Sequence, residues 1–221
     1  MTVAAIVLVP DAAAALGEVD GEAAIRRVAH AAWSGGAMPI VLVAPHEDGR
    51  LADAVTDSPV TLARPAAGLQ PGIAWFVAGG REALSAVTET TAGLLWPFRY
   101  GWVDPETVTS LVEAHGATPE AIVRPAYAGG AGFPILVPVS FLDRLAAKTG
   151  LHGEEAVTAL IAEGVPVRLL ELGDPGIVFD LTTSRSDLPG YQGPPEPAGG
   201  PPPEWNSTLG AQAQQSGDPA R

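Results

Sequence analysis

The sequence predicts an α/β protein built on a mostly parallel, doubly wound sheet, and three observations carry that expectation. Val3–Val9 is a continuous apolar run rich in β-branched residues, as a strand buried on both faces requires. Glu22–Trp33, soon after it, has helical spacing through Ile25, Val28, Ala29 and Ala32. Strand-like and helix-like stretches then alternate along the chain, the pattern of parallel strands joined by crossover helices.

The elements follow in order. Gly35-Gly36 ends the first helix. Pro39–Ala44 is the second strand, Val60–Leu62 the third, Pro71–Leu84 a helix and Gly93–Phe98 the next strand. Asp104-Pro105-Glu106 opens a helix that runs to about His115. There Asp caps free amides, Pro suits the first helical position and Glu favours the positive end of the dipole. Ala121–Val123 and Ile135–Val137 are short strands on either side of a glycine-rich stretch, and Phe141–Lys148 and Glu154–Glu163 are helical. The stretch "VPVRLLEL" alternates and reads as a strand, with antiparallel pairing open, and the apolar "GIVFDL" follows it.

A chain of 221 residues accommodates one such domain, 1–189. From 190 to 221 the composition turns to Pro, Gly, Gln and Ser, which bury too little apolar surface to offset ordering entropy, so a disordered tail is expected. Its Trp205 is either an incidental aromatic or a short docking motif.

A net charge of −13 opposes binding to nucleic acid or to anionic lipid, both of which call for a basic patch. Lys148 is the single lysine. There are no cysteines, and the four histidines show no paired ligand spacing, so neither disulfides nor a thiolate metal site is expected. No apolar run approaches the roughly 18 residues of a membrane span, and the opening "MTVAAIVLVPDAAAALG" lacks the basic start of a signal peptide. The cytoplasm is the expected compartment. No Ser/His/Asp set, Walker-type lysine loop or dinucleotide glycine fingerprint is present.

Three strings, "DPETVTSLVEA", "RPAYAGGAGFPILV" and "DLTTSRSDL", together with the order of the elements, resemble the molybdopterin nucleotidyltransferases, the MobA-like guanylyl- and cytidylyltransferases. The resemblance spans roughly Val3 to Leu188. It implies a three-layer, Rossmann-like sheet of the glycosyltransferase-A type, binding a nucleoside triphosphate and a divalent ion at the carboxyl ends of its strands. It also implies where the site residues fall. The phosphate loop, Ala-Ala-Gly followed by Arg, Met-Gly and Lys in the family, lies over Val9, Pro10 and Asp11, then Ala15, Leu16-Gly17 and about Asp20. The metal-holding Asp lies over Arg99, the later carboxylate over Thr182, and the His of a Gly-His-Pro segment over Phe133.

These replacements have physical consequences. Pro10 removes an amide donor, Asp11 takes the place of a glycine, and Ala15 and Asp20 take the places of two cations. Asp11, Glu18, Asp20 and Glu22 would then repel a triphosphate. A rescuing cation in this acidic loop is an option, although acids near a helix start ordinarily favour its dipole. Sliding the alignment would make Asp104-Pro105 the metal motif, in competition with the capping role. Gly68 and Gly72, in the segment that borders base and pterin in the family, either admit a ligand or shape a tight turn.

Trp96, Phe98, Tyr100 and Trp102 fall at every second residue, so an extended segment would project all four to one face beside the expected cleft. With Phe133 they would plug a retired site, offer a surface to a protein partner, or stack a ligand; otherwise they are ordinary core and loop residues. The expectation is therefore a non-catalytic, nucleotidyltransferase-like protein acting through association with a partner or itself, near a molybdenum-cofactor pathway, with no resident cofactor. The alternative is an active transferase that uses Mg²⁺ and a nucleoside triphosphate to make a dinucleotide cofactor from molybdopterin.

Overall fold

A computed structural model describes residues 2–45, 49–67, 72–84, 89–151 and 153–193. Gly68, the expected helix start at Pro71, and Trp205 with the rest of the tail beyond 193 lie outside them. The strands are β1 (Thr2–Leu8), β2 (Glu18–Val19), β3 (Glu22–Ala23), β4 (Ile40–Val43), β5 (Val60–Ala63), β6 (Thr90–Pro97), β7 (Ile122–Tyr127), β8 (Gly130–Ala131), β9 (Ile135–Pro138) and β10 (Val167–Glu171). The helices are α1 (Ala12–Ala15), α2 (Ala24–Ser34), α3 (Arg50–Ala54), α4 (Ile73–Leu84), α5 (Pro105–Ala117), α6 (Val139–Ala146) and α7 (Gly153–Ala162).

The main sheet runs β10-β7-β9-β6-β1-β4-β5, with β8 paired to the end of β7. β1 pairs in parallel with β4 and β6, β4 with β5, and β10 with β7. β9 runs antiparallel to both of its neighbours, and β8 antiparallel to β7. The sheet is therefore mostly parallel, as the alternation of strands and helices predicts.

Alternation along β1 divides the interior in two. Val3, Ala5 and Val7 belong to one cluster with Ile25 and Val28 of α2 and Val108 and Leu111 of α5. Ala4, Ile6 and Leu8 belong to the other, with Val77 of α4, Leu142 of α6 and Val157 of α7. Helices thus cover both faces, giving three layers, which explains why β1 is apolar at every position from Val3 to Leu8. Gly80 lets α4 lie close to the sheet: a Cβ there would stand 2.6 Å from Cγ2 of Ile6.

The capping expectation for α5 holds. Asp104 is its N-cap, accepts the amide of Glu106 at 2.9 Å, and is followed by Pro105 in the first turn. Asp174 sits beside it, buried, accepting Asp104 N–H at 2.9 Å, the Thr107 hydroxyl at 2.7 Å and Gly176 N–H at 2.7 Å. One carboxylate thereby ties the start of α5 to the segment after β10.

Several elements differ from expectation. Glu22 does not start α2. The chain makes a two-residue hairpin, β2–β3, whose Asp20 and Gly21 both have positive φ, 52° and 85°, and α2 begins at Ala24. This is the turn that Asp-Gly favours, because its twist matches that of the paired strands. β10 is parallel to β7 rather than antiparallel to a neighbour. The "GIVFDL" that follows β10 begins within a turn of 3-10 helix at Pro175–Ile177, capped by Asp174. Gly190–Gly193, expected to begin the tail, are held to the domain through Gln192 N–H, which donates to Gly173 O at 2.7 Å.

Candidate functional site

Strand order reverses around β1: β4 and β5 lie to one side of it, then β6 returns to the other. In open α/β sheets the carboxyl ends at such a switch are where ligands bind. A cavity of about 590 Å³ lies there. Leu8 and Pro10 after β1, Pro97–Tyr100 after β6, Gly72 to Phe76 at the start of α4, Phe133, and Gly153-Glu154 at the start of α7 form its wall.

β6 ends at Pro97, and the chain then turns tightly. Phe98 N–H donates to Leu8 O at 3.2 Å, Tyr100 N–H to Pro97 O at 3.0 Å, and the indole N–H of Trp96 to Tyr100 O at 3.0 Å. The expected single aromatic face is therefore broken, because period-two alternation requires extended backbone. Trp96 is fully buried in the core on the α2/α5 side. Phe98 and Tyr100 line the cavity, where Tyr100 packs on Phe133 with ring centroids 4.9 Å apart. Trp102 lies apart from them, at a separate depression of about 360 Å³. Nor do the rings plug the cleft: they line it and leave it open.

Trp75 and Phe76 of α4 are cavity residues that the sequence reading missed. Their signal was a helix with apolar residues on more than one face, but nothing local says which of them meets the ends of β1 and β6.

The residues placed on the phosphate loop do not form a cradle. Val9 is buried and donates its N–H to Val43 O at 3.0 Å, and Pro10 has no N–H to offer. Asp11 caps α1, with Oδ1 accepting Ala13 N–H at 2.9 Å and Ala14 N–H at 3.1 Å. The amides at the start of α1 are thus taken by the chain's own carboxylate. Gly17 N–H donates to Ala14 O at 3.1 Å.

The acids of this loop are less repulsive than the sequence alone implies. Glu22 pairs with Arg27 at 2.9 Å and Asp20 with Arg185 at 3.5 Å. The same two guanidinium groups flank Trp102, at 4.8 and 6.0 Å from the ring centroid, and its indole N–H donates to Thr183 O at 3.0 Å. Two of the four acids are thus met by bases, one five residues away and one far along the chain.

At the end of β6, Arg99 Nε lies 3.9 Å from Oδ2 of Asp180, and Arg99 Nη2 lies 3.3 Å from the Tyr100 hydroxyl. Asp180 Oδ1 accepts the amide of Thr182 at 3.0 Å and also its hydroxyl. Arg99 O receives Leu181 N–H at 2.8 Å, so the two segments are stitched together. A divalent ion held by protein and triphosphate requires carboxylate oxygen free to face it. The set here is a guanidinium, a threonine and one carboxylate, whose Oδ1 is bonded by Thr182 and whose Oδ2 lies 3.9 Å from Arg99. Among the described residues no three His, Asp or Glu side chains converge as a metal site. The structure thus brings Pro10, Arg99, Phe133, Phe98 and Tyr100 to one cavity, with Thr182 beside Asp180, and leaves Trp96 and Trp102 elsewhere.

Solved structures share this architecture. A manganese complex of Rv0371c from Mycobacterium tuberculosis H37Rv superposes with a TM-score of 0.60 at 21% identity, covering 77% of this chain and 88% of that one. A nucleotidyl transferase from Methanothermobacter gives a TM-score of 0.68 at 16% identity, covering 84% and 94%. The 2-C-methyl-D-erythritol 4-phosphate cytidylyltransferase of Thermus thermophilus gives 0.58 at 17% identity, covering 85% and 96%. At these identities the likeness is one of fold. A comparison with curated proteins found no match. The family model of the MobA-like NTP transferase domain matches residues 14–167. With more than half its length matched by that model and its sheet shared with nucleotidyltransferases, the chain belongs to the MobA-like NTP transferase domain family.

Proposed function

We propose that this domain does not transfer nucleotidyl groups and acts by binding. The observation that carries the reading is the place of Arg99, a cation at the end of β6 where the family resemblance puts a metal-holding Asp, with Asp180 3.9 Å away. Nucleotidyl transfer develops charge on the departing pyrophosphate, and that charge needs fixed donors and a divalent ion. Here Asp11 occupies the amides of α1, and Arg99 meets the neighbouring carboxylate. Association with a protein partner, or with a second copy, is the mode of action we propose. Trp33 and Leu169, large apolar residues exposed on α2 and β10, are available to it. A cytoplasmic setting and a link to the molybdenum cofactor accompany this reading, the link through family resemblance alone.

One observation favours a second reading, an active transferase that uses Mg²⁺ or Mn²⁺ with a nucleoside triphosphate: the fold relative Rv0371c was solved with manganese. Thermal shift with each nucleoside triphosphate and Mg²⁺ or Mn²⁺, together with pyrophosphate release in the presence of molybdopterin, separates the two. At about 100 times its dissociation constant a bound nucleotide stabilises the fold by roughly 2.7 kcal/mol. The binding reading predicts no metal-dependent shift at millimolar nucleotide and no pyrophosphate. Pyrophosphate release would establish the transferase, and a metal-dependent shift alone would show that the cleft holds a nucleotide. Size-exclusion chromatography with light scattering tests association, and a lone monomer that retains no partner on affinity isolation contradicts it.

A further inference from the structure

We propose that the cavity at the ends of β1 and β6 binds a flat, ring-bearing small molecule that carries at most one anionic group. The inference rests on the non-transferring reading and names the ligand class for that same cleft. Its volume, about 590 Å³, lies within the range of roughly 300–1,000 Å³ typical of small-molecule sites. The wall is largely apolar, with Leu8, Pro10, Ile73 and Pro97 between aromatic rings. Those rings come as two pairs: Tyr100 on Phe133 at 4.9 Å, tilted by 30°, and Trp75 edge-on to Phe76 at 5.2 Å. Flat ligands pack on such faces with little rearrangement of the side chains.

Charge selects against anything more anionic. Arg99 is the one cation among the described lining residues, and its side chain is 60% exposed, 3.9 Å from Asp180 and over the face of Tyr100 at 5.2 Å. So long and solvent-screened a contact with Asp180 is easily exchanged for a ligand anion. Glu154 lines the far wall, tied to Arg124 at 2.6 Å, and Asp180 stands behind Arg99. One negative group can meet the guanidinium, whereas a second and third would find no further cation among the described lining residues.

Two fluorescent probes that differ in one charge test this on the full chain. Anilinonaphthalene sulfonate has fused rings and a single anion; N-phenylnaphthylamine has the same rings and no charge. Anilinonaphthalene sulfonate is expected to bind saturably, one per chain, about three- to fivefold tighter than the neutral probe. Arg99→Gln should remove that difference and leave the neutral probe unchanged. Tyr100→Leu should weaken both by about fivefold, with Phe133→Leu as the second variant if the first does not fold. Binding without saturation, more than one probe per chain, or an unchanged ratio in Arg99→Gln would overturn the proposal. Displacement of the probe by a magnesium nucleoside triphosphate, with stabilisation of the fold, would overturn the non-transferring reading itself. Failure of both probes while nucleotides also have no effect would overturn the ligand class alone.

Discussion

Replacing Asp174 with alanine should loosen the support beneath the cleft more than any single surface change. Its carboxylate accepts three hydrogen bonds, from Asp104 N–H, Thr107 Oγ1 and Gly176 N–H, at 2.7 to 2.9 Å, and the residue is 2% exposed. Alanine leaves two buried donors and one part-buried donor without an acceptor, each buried one worth about 1–3 kcal/mol, while relief from burying a charge returns part of that. The net loss is about 3–5 kcal/mol. At about 2–4 °C per kcal/mol for a domain of this size, Tm should fall by about 6–20 °C. Urea denaturation followed by circular dichroism measures the loss, and a Thr107→Val cycle apportions it. Thr107→Val alone should cost about 1 kcal/mol, and nearly nothing once Asp174 is gone. A loss below about 1 kcal/mol in Asp174→Ala would refute the view that this carboxylate clamps α5 to the segment after β10.

The same residue has a pH signature. Burial pushes the Asp174 carboxyl above its ordinary value of 3.8, helped by the nearby charge of Asp104 and opposed by the three donors. A raised acid in the fold contributes stability below the ordinary value that is lost as pH rises through the raised one, so urea midpoints should fall across that window and Asp174→Asn should flatten the fall. His115 acts in the other direction. Burial lowers it from 6.5, so it withdraws stability as pH falls below that value, and His115→Leu should remove this component. Asp11→Ala should cost about 1 kcal/mol by uncapping α1, without giving nucleotide affinity; tight magnesium-nucleotide binding by this variant would show that the cap alone had closed the loop. Gly80→Ala should destabilise by about 1–3 kcal/mol in urea, since its Cβ would stand 2.6 Å from Ile6 Cγ2. Full stability in Gly80→Ala would mean that α4 can move away from the sheet.

What the sequence discloses is what is decided locally. The apolar run of β1 and the Asp104-Pro105 cap depend on neighbours within a few residues, and both are found as expected. The Asp20-Gly21 hairpin was legible too, since Asp-Gly between short paired segments is a turn signal, but helical spacing drew the reading away from it. The rest is decided at a distance. β10 runs parallel to β7 because of the crossover through α6 and α7, which an alternating pattern does not encode. Arg185 pairs with Asp20 from 165 positions along the chain. The aromatic alternation from Trp96 to Trp102 assumed a strand that ends at Pro97, so two of its four rings belong elsewhere. Trp75 and Phe76 enter the cleft only because α4 packs where β1 and β6 end.

The central claim is that the cleft between Asp11, Arg99 and Asp180 has no place for a divalent ion carrying a triphosphate. Electron paramagnetic resonance of Mn²⁺ with each nucleoside triphosphate, titrated with the protein, tests it directly. The account predicts that the spectrum of the free manganese–nucleotide complex survives a molar excess of protein. Stoichiometric loss of that spectrum, reversed by excess magnesium nucleotide, would contradict it.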